Sequence, residues 1–201
     1  MSIRKIGKIR IRRPVEEARE NILAAAEKLL VEQGPLALKL TEVAAAAKVA
    51  NASVLHHFGS IDTLHTALME RMVQQLIADL LAISDRVGDE EGQRDAVVRA
   101  LFDVFETRGA ARLAAWLELT GEWKRLTHVR EAVASVVTKR AGFGDVTPAE
   151  AQDLVLVSVL VAMGAGLFGR SLAHLVGQAP AHTRSLAAEL LRAHVVKRMD
   201  S

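Results

Sequence analysis

Apolar residues Ile22, Ala26, Leu29 and Leu30 recur at helical spacing, and Gly34-Pro35 ends the run, so the first folded element reads as a helix. Pro14 suits its first turn, with Glu16, Glu17 and Glu20 following near the N-terminus. A second short helix over about 40–48 turns Leu40, Val43, Ala44 and Ala47 inward. A third begins after Ala50, with Asn51 or Ser53 as its cap, and sets Val54 and Phe58 on its inner face. Gly59-Ser60 breaks the chain again, and Asp62 is placed to cap the next helix. Three short helices joined by tight turns predict a helix-turn-helix domain.

Beyond it the same period continues. Leu64, Leu68, Met72, Leu76 and Leu80 mark a long helix over 62–81, and polar residues at 84–95 separate it from one near 95–107. Helices are expected over 110–120 and 127–141, with a loop at 141–144. Thr147-Pro148 with Glu150 opens a long apolar helix over 148–176, which Gly177 and Pro180 end before a last helix over 182–199. The Val-rich piece 154–161 has strand propensity, but the apolar stretch is too long for one strand and no partner strand exists elsewhere. The expected fold is all-α.

With 201 residues, half of them hydrophobic, the chain can bury a substantial core. It has no cysteine, which removes disulfides and thiolate metal sites. No apolar stretch follows the basic N-terminus as in a secretory signal, and the run 154–169 is shorter than the ~20 residues of a bilayer span. A soluble cytoplasmic protein without a membrane partner is expected. The net charge of +2 is unevenly placed. Residues 1–13 carry six cations and no acid, residues 14–60 four cations and six acids, and the remainder sixteen and eighteen. The basic character therefore resides in an N-terminal arm, 1–13, expected to be flexible and solvated.

In a helix-turn-helix the second helix of the pair lies in the major groove, and its N-terminal residues meet base edges. Here that helix starts at Asn51, and its outward set is Asn51, Ala52, Ser53, Leu55 and His56. Asn can bond adenine, Ser can bond several base edges, and Ala or Leu can touch a thymine methyl. Residues 19–68 resemble the DNA-binding domain of the TetR (tetracycline-repressor-like) family. The resemblance is carried by Ile22, Ala26, Gly34, Val43-Ala44, Ala47, Val49, His57-Phe58-Gly59-Ser60, Asp62 and Leu64. It departs from the family's usual Gly-Val-Ser at Lys48-Val49-Ala50, from a phosphate-contacting Tyr at Leu55, and from a phosphate-binding Lys at Ile61. Lys39 stands where a capping Thr is usual. The resemblance implies DNA contacts from Lys39, Thr41, Lys48, Asn51, Ala52, Ser53, Leu55 and His56. The missing phosphate contacts assign a further share to Arg10, Arg12 and Arg13 of the arm.

The resemblance also implies domains at 14–61 and 62–201, the first for DNA and the second for effector binding and dimerisation. Phe102, Phe105, Trp116, Trp123, Met163 and Phe168 are candidates to line an apolar effector pocket, although for any one of them core packing is the better account. The small residues Ala162, Gly166 and Gly169, with Leu190 on the last helix, are candidates for a dimer seam, because small side chains let helices approach closely; small residues beside a cavity would read alike. The seven histidines are scattered, and no carboxylate follows His56 or His57 at i+4, so neither catalysis, a metal site nor a cofactor is expected. The expected function is a DNA-binding regulator, a homodimeric repressor released from a double-stranded operator by an unidentified small apolar effector. The alternative is a helical interaction module of the same fold that has lost DNA binding.

Overall fold

A computed structural model describes residues 12–84, 90–141 and 147–199, helical almost throughout and without a strand among the described residues. The helices are α1 (Arg12–Gln33), α2 (Leu40–Ala47), α3 (Asn51–Phe58), α4 (Ile61–Ser84), α5 (Glu90–Phe102), α6 (Ala110–Leu119), α7 (Thr127–Ala141), α8 (Pro148–Leu175) and α9 (Pro180–Met199). Single turns of 3₁₀ helix occupy Pro35–Ala37 and Glu122–Arg125, and a π turn, Asp103–Thr107, continues α5. The all-α expectation holds.

The ends of several helices differ from their sequence signals. α1 opens at Arg12, two residues ahead of Pro14, which a first turn tolerates because its N–H would have no helical partner. α4 is capped by Ser60, whose Oγ accepts the Thr63 N–H at 3.1 Å, and Asp62 sits inside the first turn beside the positive end of the helix dipole. α3 follows Ala50 with no side-chain cap, so neither Asn51 nor Ser53 serves there. Pro180 opens α9 rather than closing α8, whose end is the turn at Gly177 with φ of 71°. At α8 the Thr147 hydroxyl accepts the Glu150 N–H while the Glu150 carboxylate accepts the Thr147 N–H, a reciprocal cap that fixes where the helix begins.

The chain divides into two compact units, residues 1–68 and 69–201, with the division inside α4 rather than at its start. In the first, Ile22, Leu23, Ala26 and Leu30 of α1 meet Val43 and Ala44 of α2, Val54 and Phe58 of α3 and Leu64 and Leu68 of α4 in one apolar core. In the second, α8 packs against α5, α6, α7, α9 and the π turn. The small residues Ala151, Ala162, Gly169 and Ala173 are buried, while Leu156, Leu160, Phe168, Leu172 and Leu175 are exposed. By helical spacing the buried set shares one narrow face, and the exposed set is spread around the rest of the helix. The helix is thus small inside and bulky outside, the reverse of an ordinary surface helix. At 28 residues, with a mean hydropathy of 1.9 over its most apolar window, α8 has the length and composition to cross a bilayer, more than the run 154–169 suggests.

A Cβ on Gly166 would lie 2.8 Å from the Phe105 carbonyl oxygen and 2.9 Å from the Ala111 Cβ. On Gly169 it would meet Thr183 Cγ2 at 3.1 Å, and the Thr183 hydroxyl donates to the Gly169 carbonyl at 3.0 Å. These glycines let α8 close on its own chain. Arg192 Nε pairs with Asp95 Oδ1 at 2.6 Å and Arg184 with Glu106 at 3.5 Å, tying α9 to α5 and the π turn. Both pairs are partly exposed and contribute at most about 1 kcal/mol each. Packing of the small face carries more.

Gly166→Ala should lower stability by about 1–2 kcal/mol, because overpacking against backbone outweighs the gain in helix propensity. Gly169→Ala should cost less, since a threonine methyl can give way. Urea unfolding followed by Trp116 and Trp123 fluorescence, at one fixed protein concentration, checks the order.

Candidate functional site

The helix pair α2–α3 is joined by a turn at Lys48 whose φ is 58°, the one positive value for a non-glycine among the described residues. This is where the family pattern has glycine, and Lys48 takes the same left-handed conformation. The turn needs that geometry to bring α3 across α2, so the departure changes the charge and keeps the path. α2 is then held at both ends. Asn21 of α1 donates to the Ala47 carbonyl at 2.9 Å. His65 of α4, 5% exposed, donates from Nε2 to the Leu38 carbonyl at 2.9 Å, just ahead of α2. α3 is seated by Val54 and Phe58, and the Arg19 guanidinium lies 5.0 Å over the Phe58 ring.

Neither His65, Asn21 nor Arg19 stands out as a site residue in the sequence. The available signal is a polar residue beside the apolar stripe, as at Asn21-Ile22 and Leu64-His65.

The outward face of α3 consists of Asn51, Ala52, Leu55 and His56, all exposed, with Ser53 half-buried at its edge. Lys39, Thr41 and Lys48 are exposed around α2. Together these eight residues offer an amide, two hydroxyls, two apolar groups, an imidazole and two cations. His57 is half-buried, its ring 6.4 Å from Phe58 and edge-on to His56 at 5.5 Å, which fits a packing role. Arg10 lies outside the described residues, and of Arg12 and Arg13 only the backbone, in the first turn of α1, is described.

The residues singled out in the second unit are dispersed. Phe102 and Phe105 are core, Trp116 and Met163 are half-buried, and Trp123 and Phe168 are 44% and 58% exposed. None of the six lines either of two open depressions of about 600 and 560 Å³, one between α7 and the start of α8, the other at the end of α8. Ala162, Gly166 and Gly169 lie on the inward face of α8, so the close approach they permit is to this chain's own helices, while Leu190 is 60% exposed. No group of three His, Cys, Asp or Glu suited to a metal ion occurs among the described residues.

Residues 22–68 match the model of the bacterial regulatory proteins, tetR family. Over these residues the chain is similar to the DNA-binding domain of that family. An HTH-type transcriptional regulator of Mycobacterium tuberculosis is 29% identical over 157 residues, 75% of this chain and 76% of its own length. Shorter matches are a transcriptional repressor of the same species, 34% identical over 44% of this chain and 48% of its own, and the transcriptional activator FasR of Mycolicibacterium smegmatis, 30% identical over 47% and 43%. A solved member of the TetR family from Streptomyces coelicolor is 25% identical with a TM-score of 0.57, covering 89% of this chain and 98% of that one. The similarity supports a DNA-binding transcriptional regulator, and the relatives it matches are regulators rather than enzymes.

Lys48→Gly separates the two consequences of that residue. Stability should rise by about 1 kcal/mol as left-handed strain is relieved. With Lys48 as a phosphate contact, the slope of log DNA affinity against log salt should flatten by about 1 per subunit. Urea unfolding and binding titrations over a salt series check the opposite signs.

Proposed function

We propose that the protein is a homodimeric repressor that leaves its operator when a small apolar ligand binds the second helical unit. The observation that carries the reading is the α3 surface: Asn51, Ala52, Leu55 and His56 are exposed on a helix whose Val54 and Phe58 are locked into a core. Such a helix presents side chains to a groove without yielding. Repression is supported by the relative of that name, and ligand release by a helical unit in which aromatic side chains lie in and around the core.

A second copy of the chain is supported by the outward face of α8. Leu156, Leu160, Leu172 and Leu175, with Leu186 and Leu190 of α9, are all more than half exposed. Leucines exposed in that number suit an interaction surface, and a two-fold axis would pair it with itself. Ala162, Gly166 and Gly169 then act behind the seam, and Leu190 within it.

Placing the chain with the DNA flanking its own gene upstream of a reporter tests the regulatory reading. Lower transcription with the protein than without it is expected, and higher transcription would make it an activator. Leu160→Glu should turn a dimer into a 21.7 kDa species by light scattering at micromolar concentration, with the helical signal kept. An unchanged mass would remove α8 from the seam.

The arm is proposed to supply the phosphate contacts that α3 lacks. Removing residues 2–11 takes away Arg4, Lys5, Lys8 and Arg10 and spares α1. With half of these cations engaged in each subunit of a dimer, the salt slope should flatten by roughly 4. An unchanged slope would make the arm a bystander.

A further inference from the structure

We infer that Leu55 is a specificity residue that reads the C5-methyl group of a thymine in each operator half-site. The inference rests on α3 being the helix that meets DNA.

Leu55 is 42% exposed and projects from the outer face of α3, away from Val54 and Phe58, which are 1% and 5% exposed. Ala52 lies one turn before Leu55, and the two form an apolar strip between Asn51 and His56. No lysine, arginine or acid occurs anywhere on α3. A leucine cannot donate to a phosphate or bond a base edge, so its contribution in a groove is contact between apolar surfaces. On the major-groove edges of the four base pairs the one apolar group is the thymine methyl; the other groups are hydrogen-bond donors and acceptors. An isobutyl side chain held rigidly at that edge therefore has thymine as its best partner, and it desolvates a donor or acceptor when any other base takes the place. The preference is thus attractive toward thymine and repulsive toward the alternatives.

The test begins with duplexes selected from a random library by the full-length protein. Each thymine of the preferred sequence is then replaced singly by deoxyuridine, which removes the methyl group and leaves the hydrogen-bonding pattern intact. Binding is measured at one salt concentration. At one thymine of each half-site the replacement should weaken binding about fourfold, the worth of one buried methyl. Leu55→Ala should erase the difference between thymine and deoxyuridine at that position while penalties elsewhere persist. Leu55→Met, which keeps the apolar bulk, should retain it. Because the side chain is exposed, the unfolding midpoints of both variants should match that of the unchanged protein.

Finding no thymine that responds, or an equal penalty in Leu55→Ala, overturns the inference and leaves DNA binding intact. A protein that enriches no sequence and shifts no duplex overturns the DNA-reading role of α3 and the inference with it.

Discussion

The second unit is organised by the inward face of α8, where no side chain is larger than Ala at the closest contacts. Ala151, Ala162, Gly166, Gly169 and Ala173 let five neighbouring elements approach one helix, and the Phe105 carbonyl comes close enough to Gly166 to exclude even a methyl group. A helix that contributes so little volume inward has little room there for Leu156, Leu160, Leu172 and Leu175. They go outward. The same constraint that closes the unit therefore leaves it an exposed apolar surface.

The first unit solves a different problem, holding two eight-residue helices at a fixed angle. Helices that short are marginal by themselves and depend on tertiary anchors. Buried Val43, Val54 and Phe58 supply the apolar anchors, and the bonds from Asn21 and His65 fix α2 at each end. Lys48 keeps a left-handed turn without glycine, at a cost of about 1–2 kcal/mol that the surrounding packing offsets. Ala50 leaves α3 without a side-chain cap. Stability is conceded at the turn and recovered in the core.

Much of this was legible in the sequence, for a physical reason. Ile22, Ala26 and Leu30, or Val54 and Phe58, repeat with the helix period, and residues that share a face share an environment. The helix-turn-helix and its outer residues followed from that. What periodicity does not convey is which of two apolar faces looks inward. On α8 both faces are apolar, one small and one large, so Ala162, Gly166 and Gly169 read equally well as a seam between chains or as a close contact within one. Nor does it fix helix ends. Pro180 fits after a helix as well as at the start of one, and only the turn at Gly177 decides. His65 was hidden because its partner is a backbone carbonyl, which no side-chain pattern reveals.

An uncharged reading helix also has a consequence for where the protein resides along a chromosome. Affinity for random sequence comes almost wholly from phosphate neutralisation. Base contacts of the kind proposed for Asn51, Ala52, Leu55 and His56 would add nothing to it. On the proposed reading the labour would be divided by distance: cations would set how many copies are held on bulk DNA at any moment, while α3 would set how long one stays at its own address. Substitutions on α3 then alter residence at the target without changing the pool that searches for it, so target choice can drift while copy number stays fixed.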